Sequence, residues 1–274
     1  MSIKAADVAK LRKATGAGMM DCKKALTEAE GDFDRAVQII REKGQAIANK
    51  RADREATEGA VIAKVSADGK TGAMIALNCE TDFVAKNEDF VKFANDIADF
   101  ALANLPADKD ALLALDFNGK SLIDAITEKS GVTGEKMEIA IYEKVNAESV
   151  VSYIHMGNKL ATLIGFNQAG VDTQVAKDVA MQAAAMAPVA IDKADVPQNI
   201  IDEELSIGKE KARQEGKPEE MLEKIAQGRL GKFFKENTLL NQMSVKDNKI
   251  TIAQVLNNAS AGLTVTAMKR YGLK

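Results

Sequence analysis

Asp82 and Phe83 stand side by side in the stretch Asn78-Cys79-Glu80-Thr81-Asp82-Phe83-Val84-Ala85-Lys86-Asn87. An acid followed at once by a bulky aromatic and a β-branched residue is unusual chemistry for a connector. The stretch follows the apolar run Ala73-Met74-Ile75-Ala76-Leu77 and precedes a helical pattern from Phe90 to Leu105, so it reads as a loop at a strand end, where sites tend to sit. Only 4% of the chain is aromatic, so a phenylalanine on a loop needs a reason. Two readings are open. The ring folds back onto its own core, or it is presented as a wedge with a carboxylate beside it. Burying a phenylalanine in a partner gains roughly 1.5–3 kcal/mol.

The elements that must hold this stretch follow from periodicity. A β-hairpin precedes it, with Val61 to Val65 as one strand, Ala67-Asp68-Gly69-Lys70 as the turn and Ala73 to Leu77 as the return; Asp-Gly is a strong hairpin signal. An amphipathic helix follows it, with Phe90, Phe93, Ile97, Phe100 and Ala101 on one face, and ends near Pro106. A second helical pattern, Leu122 to Ile126, comes after a polar loop. Gly134 to Val145 alternates as a strand.

The same order then recurs. Ser152-Tyr153-Ile154-His155, Met156-Gly157-Asn158-Lys159 and Leu160 to Asn167 form a second hairpin, and a helix runs from Val175 to Pro188. Lys70–Asn78 lies on Lys159–Asn167 at an offset of 89, whereas Phe93–Pro106 lies on Val175–Pro188 at an offset of 82. The first copy therefore carries seven extra residues between strand and helix, within the Thr81–Asn87 region. Copies of one unit share core demands, so an extension in one alone favours a function over a packing need, and with it the presented ring.

Residues 1 to about 44 read as three short helices, broken at Gly16-Ala17-Gly18 and Gly31, with Asp32 as an N-cap and Gly44 as the final stop. Such a unit is near the lower size limit for its own core and is usually a docking module. Met19 and Met20 open the second helix, either as core or as soft exposed side chains for protein docking. Residues 45–58 read as a solvated helical linker whose Lys50, Arg51 and Arg54 are offset by Asp53, Glu55 and Glu58. Residues 195–235 read as a helical hairpin turning at Gly216-Lys217-Pro218, either a solvated arm or a surface for self-association, as a homodimer through 195–235, or for a partner. Ile250 to Leu256 leads into a helix and Leu263 to Met268 supplies a last strand. The domain expectation is thus 1–54 for the three-helix module and linker, 55–147 for one core subdomain, 148–194 with 236–274 for the other, and 195–235 as an insertion.

Composition excludes several classes. With 46% apolar and 28% charged residues the chain is an ordinary globular protein. A net charge of −3 gives no global field to recruit nucleic acid or an anionic membrane. No run approaches the length of a membrane span, and Met1 to Asp7 carries no apolar targeting stretch. A single histidine, His155, and two dispersed cysteines, Cys22 and Cys79, leave no catalytic triad or metal cluster, so neither an enzyme nor a cofactor or metal site is expected. The absence of a cysteine framework suits a cytoplasmic location.

Several pieces resemble one family. Leu11-Arg12-Lys13-Ala14-Thr15-Gly16-Ala17-Gly18-Met19-Met20-Asp21-Cys22-Lys23-Lys24-Ala25-Leu26 is similar to the N-terminal signature of bacterial translation elongation factor Ts, and Asn78 to Lys86 to its second signature. Gly228-Arg229-Leu230, Lys232-Phe233-Phe234-Lys235-Glu236 and Leu239-Leu240-Asn241-Gln242 resemble its late segment. The resemblance implies an α+β fold: an N-terminal ubiquitin-associated-like three-helix module, a duplicated hairpin-plus-helix core and an inserted antiparallel helical hairpin. It implies guanine-nucleotide exchange on the GDP-bound form of elongation factor Tu, with no direct contact to nucleic acid. Thr81, Asp82, Phe83 and Val84 would dislodge the partner's magnesium, the ring entering between helices of the GTPase domain. Arg12, Met19 and Met20 would dock on that same domain. Ser152 to His155 resembles, more loosely, a segment near the partner, so both a contact role and a structural one stay open for His155. Some relatives continue into a further C-terminal helical module where this sequence reads Lys269 to Lys274. A non-exchanging docking adaptor is the alternative function.

Overall fold

A computed structural model of the chain describes residues 3–273. It mixes helices with two three-stranded sheets, an α+β arrangement. Three helices come first: α1 (Ala5–Thr15), α2 (Met19–Glu28) and α3 (Phe33–Lys50). Strands β1 (Glu58–Val65) and β2 (Thr71–Cys79) follow, then the single turn α4 (Asp82–Ala85) and α5 (Glu88–Asn104). After α6 (Lys109–Ala114) and α7 (Leu122–Thr133) comes β3 (Glu138–Asn146), and the first sheet has the order β1-β2-β3. Strands β4 (Ser149–Ile154) and β5 (Leu160–Phe166), helix α8 (Thr173–Met186), the pair α9 (Gln198–Gln214) and α10 (Glu219–Asn237), α11 (Ile252–Ala259) and β6 (Val265–Gly272) complete the chain. The second sheet, order β4-β5-β6, is antiparallel throughout, with Ser152 opposite Leu163 and Leu163 opposite Lys269.

Contacts divide the chain into two compact units. One comprises Met1–Val61, Ile75–Tyr142 and Leu273–Lys274; the other comprises Ile62–Met74 and Glu143–Gly272. In the first unit the N-terminal helices close a small core of Val8, Leu11, Cys22, Ala25, Leu26 and Ile39. Gly16, in the left-handed region at φ 71°, ends α1 by donating its N–H to the Arg12 carbonyl at 2.7 Å. Of the face expected for α5, Phe90, Ile97 and Ala101 are buried together with Ala94, whereas Phe93 and Phe100 are half-buried with their rings against Phe117. In the second unit Ile164, Phe166, Val179, Ala183, Leu239 and Leu256 share one core. Within it the buried Gln182 donates to the Gln242 side chain and the Met243 carbonyl and accepts from the Val245 N–H, so both its nitrogen and its oxygen are hydrogen-bonded.

The two strand–helix runs match in local detail. β1 and β4 end at Val65 and Ile154, at the offset of 89. Helices α5 and α8 are capped by Leu105 and Ala187, both left-handed residues, φ 44° and 45°, each just before a proline. In both, a helix cannot continue through the proline.

Several expectations need correction. Gly44 does not stop α3, which runs on to Lys50. At that glycine α3 meets α7, where Gly131 comes so close that a Cβ on it would strike the Gly44 backbone. Residues 45–50 are therefore the end of α3, and the helix read over 45–58 does not extend past Lys50: residues 51–57 are turn and irregular chain leading to β1. The loop after β2 contains a full turn, α4, and the loop after Pro106 contains α6, capped by Asp108. The third strand begins at Glu138, because Gly134 at φ 75° is the left-handed cap of α7. Helix α9 begins at Gln198, while Asp192 and Asp195 form a capping box on a separate 3-10 turn before it.

Candidate functional site

Thr81 makes the turn that carries the Asp82–Phe83 pair. Its hydroxyl accepts the Val84 N–H at 3.4 Å, an N-cap for α4 separated from the end of β2 by Glu80 alone. One turn later Asn87 caps α5, accepting the Asp89 N–H at 2.8 Å. Between the two caps only one turn of helix fits. Positions 83 and 85 lie about 200° apart on it. Ala85 faces the core at 9% exposure, so Phe83 must face away, and its side chain is 85% exposed. The fold gains almost nothing from that ring. The core-facing reading of Phe83 is excluded, whereas Phe90, seven residues on, is 1% exposed.

Asp82 does not stand bare beside the ring. Its carboxylate pairs with the Lys86 ammonium at 2.6 Å across one helical turn, and that hydrogen bond and charge raise the lysine pKa. A solvent-exposed pair of this spacing is held weakly because water screens it, so it can be given up to another partner.

The base of the turn is far more firmly held. Glu135 receives two hydrogen bonds from Thr81, from its N–H at 3.0 Å and its hydroxyl at 2.6 Å. Glu80 accepts the Lys136 N–H at 2.6 Å and both of its oxygens accept from the Arg51 guanidinium, at 2.9 and 2.8 Å. Burial works to raise the Glu80 pKa, but the Lys136 amide and the Arg51 charge outweigh it and hold the carboxyl below its usual range. Cys79 is buried, donates to the Thr81 carbonyl at 3.3 Å, and has its thiol pushed up to about 12 by burial and by the nearby Glu135. It is a packing residue without a thiolate to attack with.

The residues singled out near the N-terminus share the first unit with this turn. Arg12 sits exposed in the last turn of α1. Met19 and Met20, 58% and 64% exposed, open α2 beyond the point where Cys22, Ala25 and Leu26 enter the core. The core alternative for the two methionines is therefore excluded. His155 belongs to the second unit, exposed at the end of β4 with its Nδ1 2.9 Å from the Tyr153 hydroxyl. Met156, beside it in the turn, is 90% exposed and was not singled out in the sequence; a methionine ahead of a Gly-Asn turn was the available signal. Glu135 and Arg51 were missed as well, because their partners lie 54 and 29 residues away and leave no local pattern. Among the described residues no cluster of three or more His, Cys, Asp or Glu side chains could hold a metal ion, and no helix is long and apolar enough to cross a membrane.

The turn thus presents an exposed aromatic beside an acid and is clamped at its base. Comparison with known proteins gives that turn a family. The "Elongation factor TS" family model matches residues 80–274. The chain belongs to the elongation factor Ts family. Elongation factor Ts of Christiangramia forsetii is 54% identical over 273 residues, 99% of this chain and 98% of that protein. The Porphyromonas gingivalis protein of the same name is 54% identical over 276 residues, 100% of this chain and 99% of that one. Elongation factor Ts of Bacteroides fragilis is 41% identical over a longer alignment of 331 residues. Membership makes the chain a nucleotide-exchange factor of translation elongation. Within the family match, the Thr81–Val84 turn lies at the very start.

Proposed function

We propose that the chain promotes GDP release from elongation factor Tu by inserting Phe83 between helices of the GTPase domain while the Asp82 segment disturbs the magnesium and phosphate region. The observation that carries this is the 85% exposure of Phe83 on a turn whose base is held by Glu80 and Glu135. A GTPase holds GDP through its phosphate-cradling backbone and Mg²⁺. Shifting the metal leaves phosphate charge under-compensated, so the nucleotide leaves faster. Thr81 caps the turn, Val84 closes it, and Asp82 supplies the charge. No covalent step and no resident cofactor are needed.

The remaining parts take supporting roles. The α1–α3 helices act as a ubiquitin-associated-like docking module, with Arg12, Met19 and Met20 on the partner's GTPase domain. His155, with Met156, offers a second contact from the other unit. Two hairpin-plus-helix copies form the core, and the α9–α10 hairpin, inserted in the second copy, is a surface for self-association or for the partner. Neither nucleic acid nor membrane is engaged directly, and the site of action is the cytoplasm.

The effect must be reciprocal. Whatever factor the chain weakens GDP by, GDP weakens the chain by the same factor. Stopped-flow release of a fluorescent GDP from elongation factor Tu, with the chain titrated in, tests the proposal. The expected result is a release rate that rises with the chain and saturates. Binding without any rise in rate would make the chain a docking adaptor and overturn the exchange reading.

A further inference from the structure

The Thr81–Val84 turn has no core of its own, so something else must fix where its ring points. The residues that do so come from the end of α7 and the short segment just after it. Glu135 takes both the N–H and the hydroxyl of Thr81, and the next residue, Lys136, gives its N–H back to Glu80. Two consecutive residues on each side thus bind each other reciprocally. The segment is itself immobilised: the buried Ser130 hydroxyl donates to the Glu135 carbonyl at 2.5 Å, and the Glu135 N–H donates to the Thr133 hydroxyl at 3.3 Å. The third member is Arg51, the residue that caps α3, whose guanidinium holds both Glu80 oxygens. Helix α3 also crosses α7 at the Gly44–Gly131 approach. The N-terminal helices are therefore joined to the turn twice, through Arg51 and through α7.

We propose that the Ser130–Lys136 segment is a bracket, with Glu135 as its positioning residue, that sets the direction of Phe83 relative to the N-terminal docking helices. The bracket rests on the exchange reading given above. Glu135 touches no partner atom in this role; it acts through Thr81. Its carboxylate suits the task because both of its oxygens face donors on one residue, fixing the backbone and the cap together. A glutamine there keeps a carbonyl for the Thr81 N–H and an amide that can donate to the Thr81 hydroxyl, so it preserves the geometry while losing the charge.

The test uses the full chain with elongation factor Tu and its fluorescent GDP complex. For Glu135→Ala the maximal release rate at saturating chain should fall roughly tenfold or more, since two hydrogen bonds to a charged acceptor are lost. The half-saturating concentration should change less than about threefold, because the docking helices are untouched. Glu135→Gln should recover most of the rate. An unchanged maximal rate in a folded Glu135→Ala chain would overturn the bracket. A second readout needs no partner. The sequence holds no tryptophan, so Phe83→Trp supplies a single reporter at the ring position. Its anisotropy decay should gain a fast local component when Glu135→Ala is added and lose it with Glu135→Gln. Decays that are identical in all three chains would overturn the bracket as well. Should the unaltered chain fail to speed GDP release, the exchange reading falls, and the tryptophan decay still decides whether Glu135 fixes the ring.

Discussion

Replacing Phe83 by alanine separates what the ring does for the fold from what it does for a partner. At 85% exposure the ring contributes little to folding, so the stability change should stay within about 0.5 kcal/mol. Alanine's better helix propensity pushes slightly in the favourable direction. The same ring buried in a partner's pocket is worth roughly 1.5–3 kcal/mol, which is a factor of about 10–150. Which kinetic constant carries that factor distinguishes two roles. If the ring seats only as the nucleotide leaves, its energy is differential, and the maximal rate falls while half-saturation barely moves. If the ring seats whether or not GDP is bound, half-saturation rises and the maximal rate stands. The exchange mechanism requires the first outcome, read by fluorescent GDP release across a titration, with a urea melt of the variant run beside it. An unchanged rate at saturation refutes the wedge, and a large loss of stability would contradict the outward orientation on which the wedge depends.

Met19→Asp should weaken the complex with elongation factor Tu by roughly tenfold or more, as removal of a buried interface contact does, while the melting temperature moves by no more than about 2 °C. Calorimetric binding and a thermal scan read the two, and the opposite ordering would place Met19 in the core. The two glycines at the α3–α7 crossing should respond unequally. A Cβ at Gly131 would overlap the Gly44 backbone, so Gly131→Ala should cost about 1–3 kcal/mol of stability in a urea melt. A Cβ at Gly44 meets the Gly131 Cα at an ordinary 3.5 Å, so Gly44→Ala should be neutral or gain up to about 1 kcal/mol from helix propensity. Glu80 titrates below its usual value of 4.5 in the folded chain because the Lys136 amide and Arg51 outweigh its burial. Its contribution is therefore present above pH 4.5 and lost as pH falls through the lower folded value. The gap in urea midpoint between the unaltered chain and Glu80→Gln should be open at pH 7 and narrow at pH 3.

What the sequence revealed, it revealed through local signals. Asp68-Gly69 marked the first hairpin because a left-handed glycine, here at φ 71°, is a demand that two adjacent residues can display by themselves. Gly216 and Pro218 marked the turn between α9 and α10 for the same reason. Gly44 misled because a glycine after a lysine near a helix's end carries the signal of a cap, and the fact that overrides it, a glycine on another helix 87 positions later, has no trace nearby. Helix α6 was hidden by its length of six residues, too few to show a period. At the site, the identity of Asp82 and Phe83 could be read, and so could the extension that carries them. The carboxylates that hold the extension could not, since Glu80 looked like one more acid of the motif and Glu135 like part of a strand.

The comparison of the two strand ends explains why an exposed ring is tolerated here. Asn78 and Asn167 occupy corresponding positions, and each donates its side-chain amide to a backbone carbonyl of a distant segment, Ala56 at 2.8 Å and Gly262 at 2.9 Å. Up to that residue the two runs obey the same packing demand. Immediately after it they part. In the second run Gln168 donates to the Ala261 carbonyl and accepts the Ser260 hydroxyl, so its polar groups finish a closed connection into α8. In the first run the next residues are Cys79, packed inward, and Glu80 and Thr81, which bind Arg51 and the Glu135–Lys136 pair. The divergence thus begins after the packing demand common to both runs has been met, and the extra turn is fastened by side-chain hydrogen bonds with only Ala85 of α4 buried. A turn held in that way can leave a phenylalanine in solvent without weakening the domain that carries it, because no part of the core was ever built on the ring.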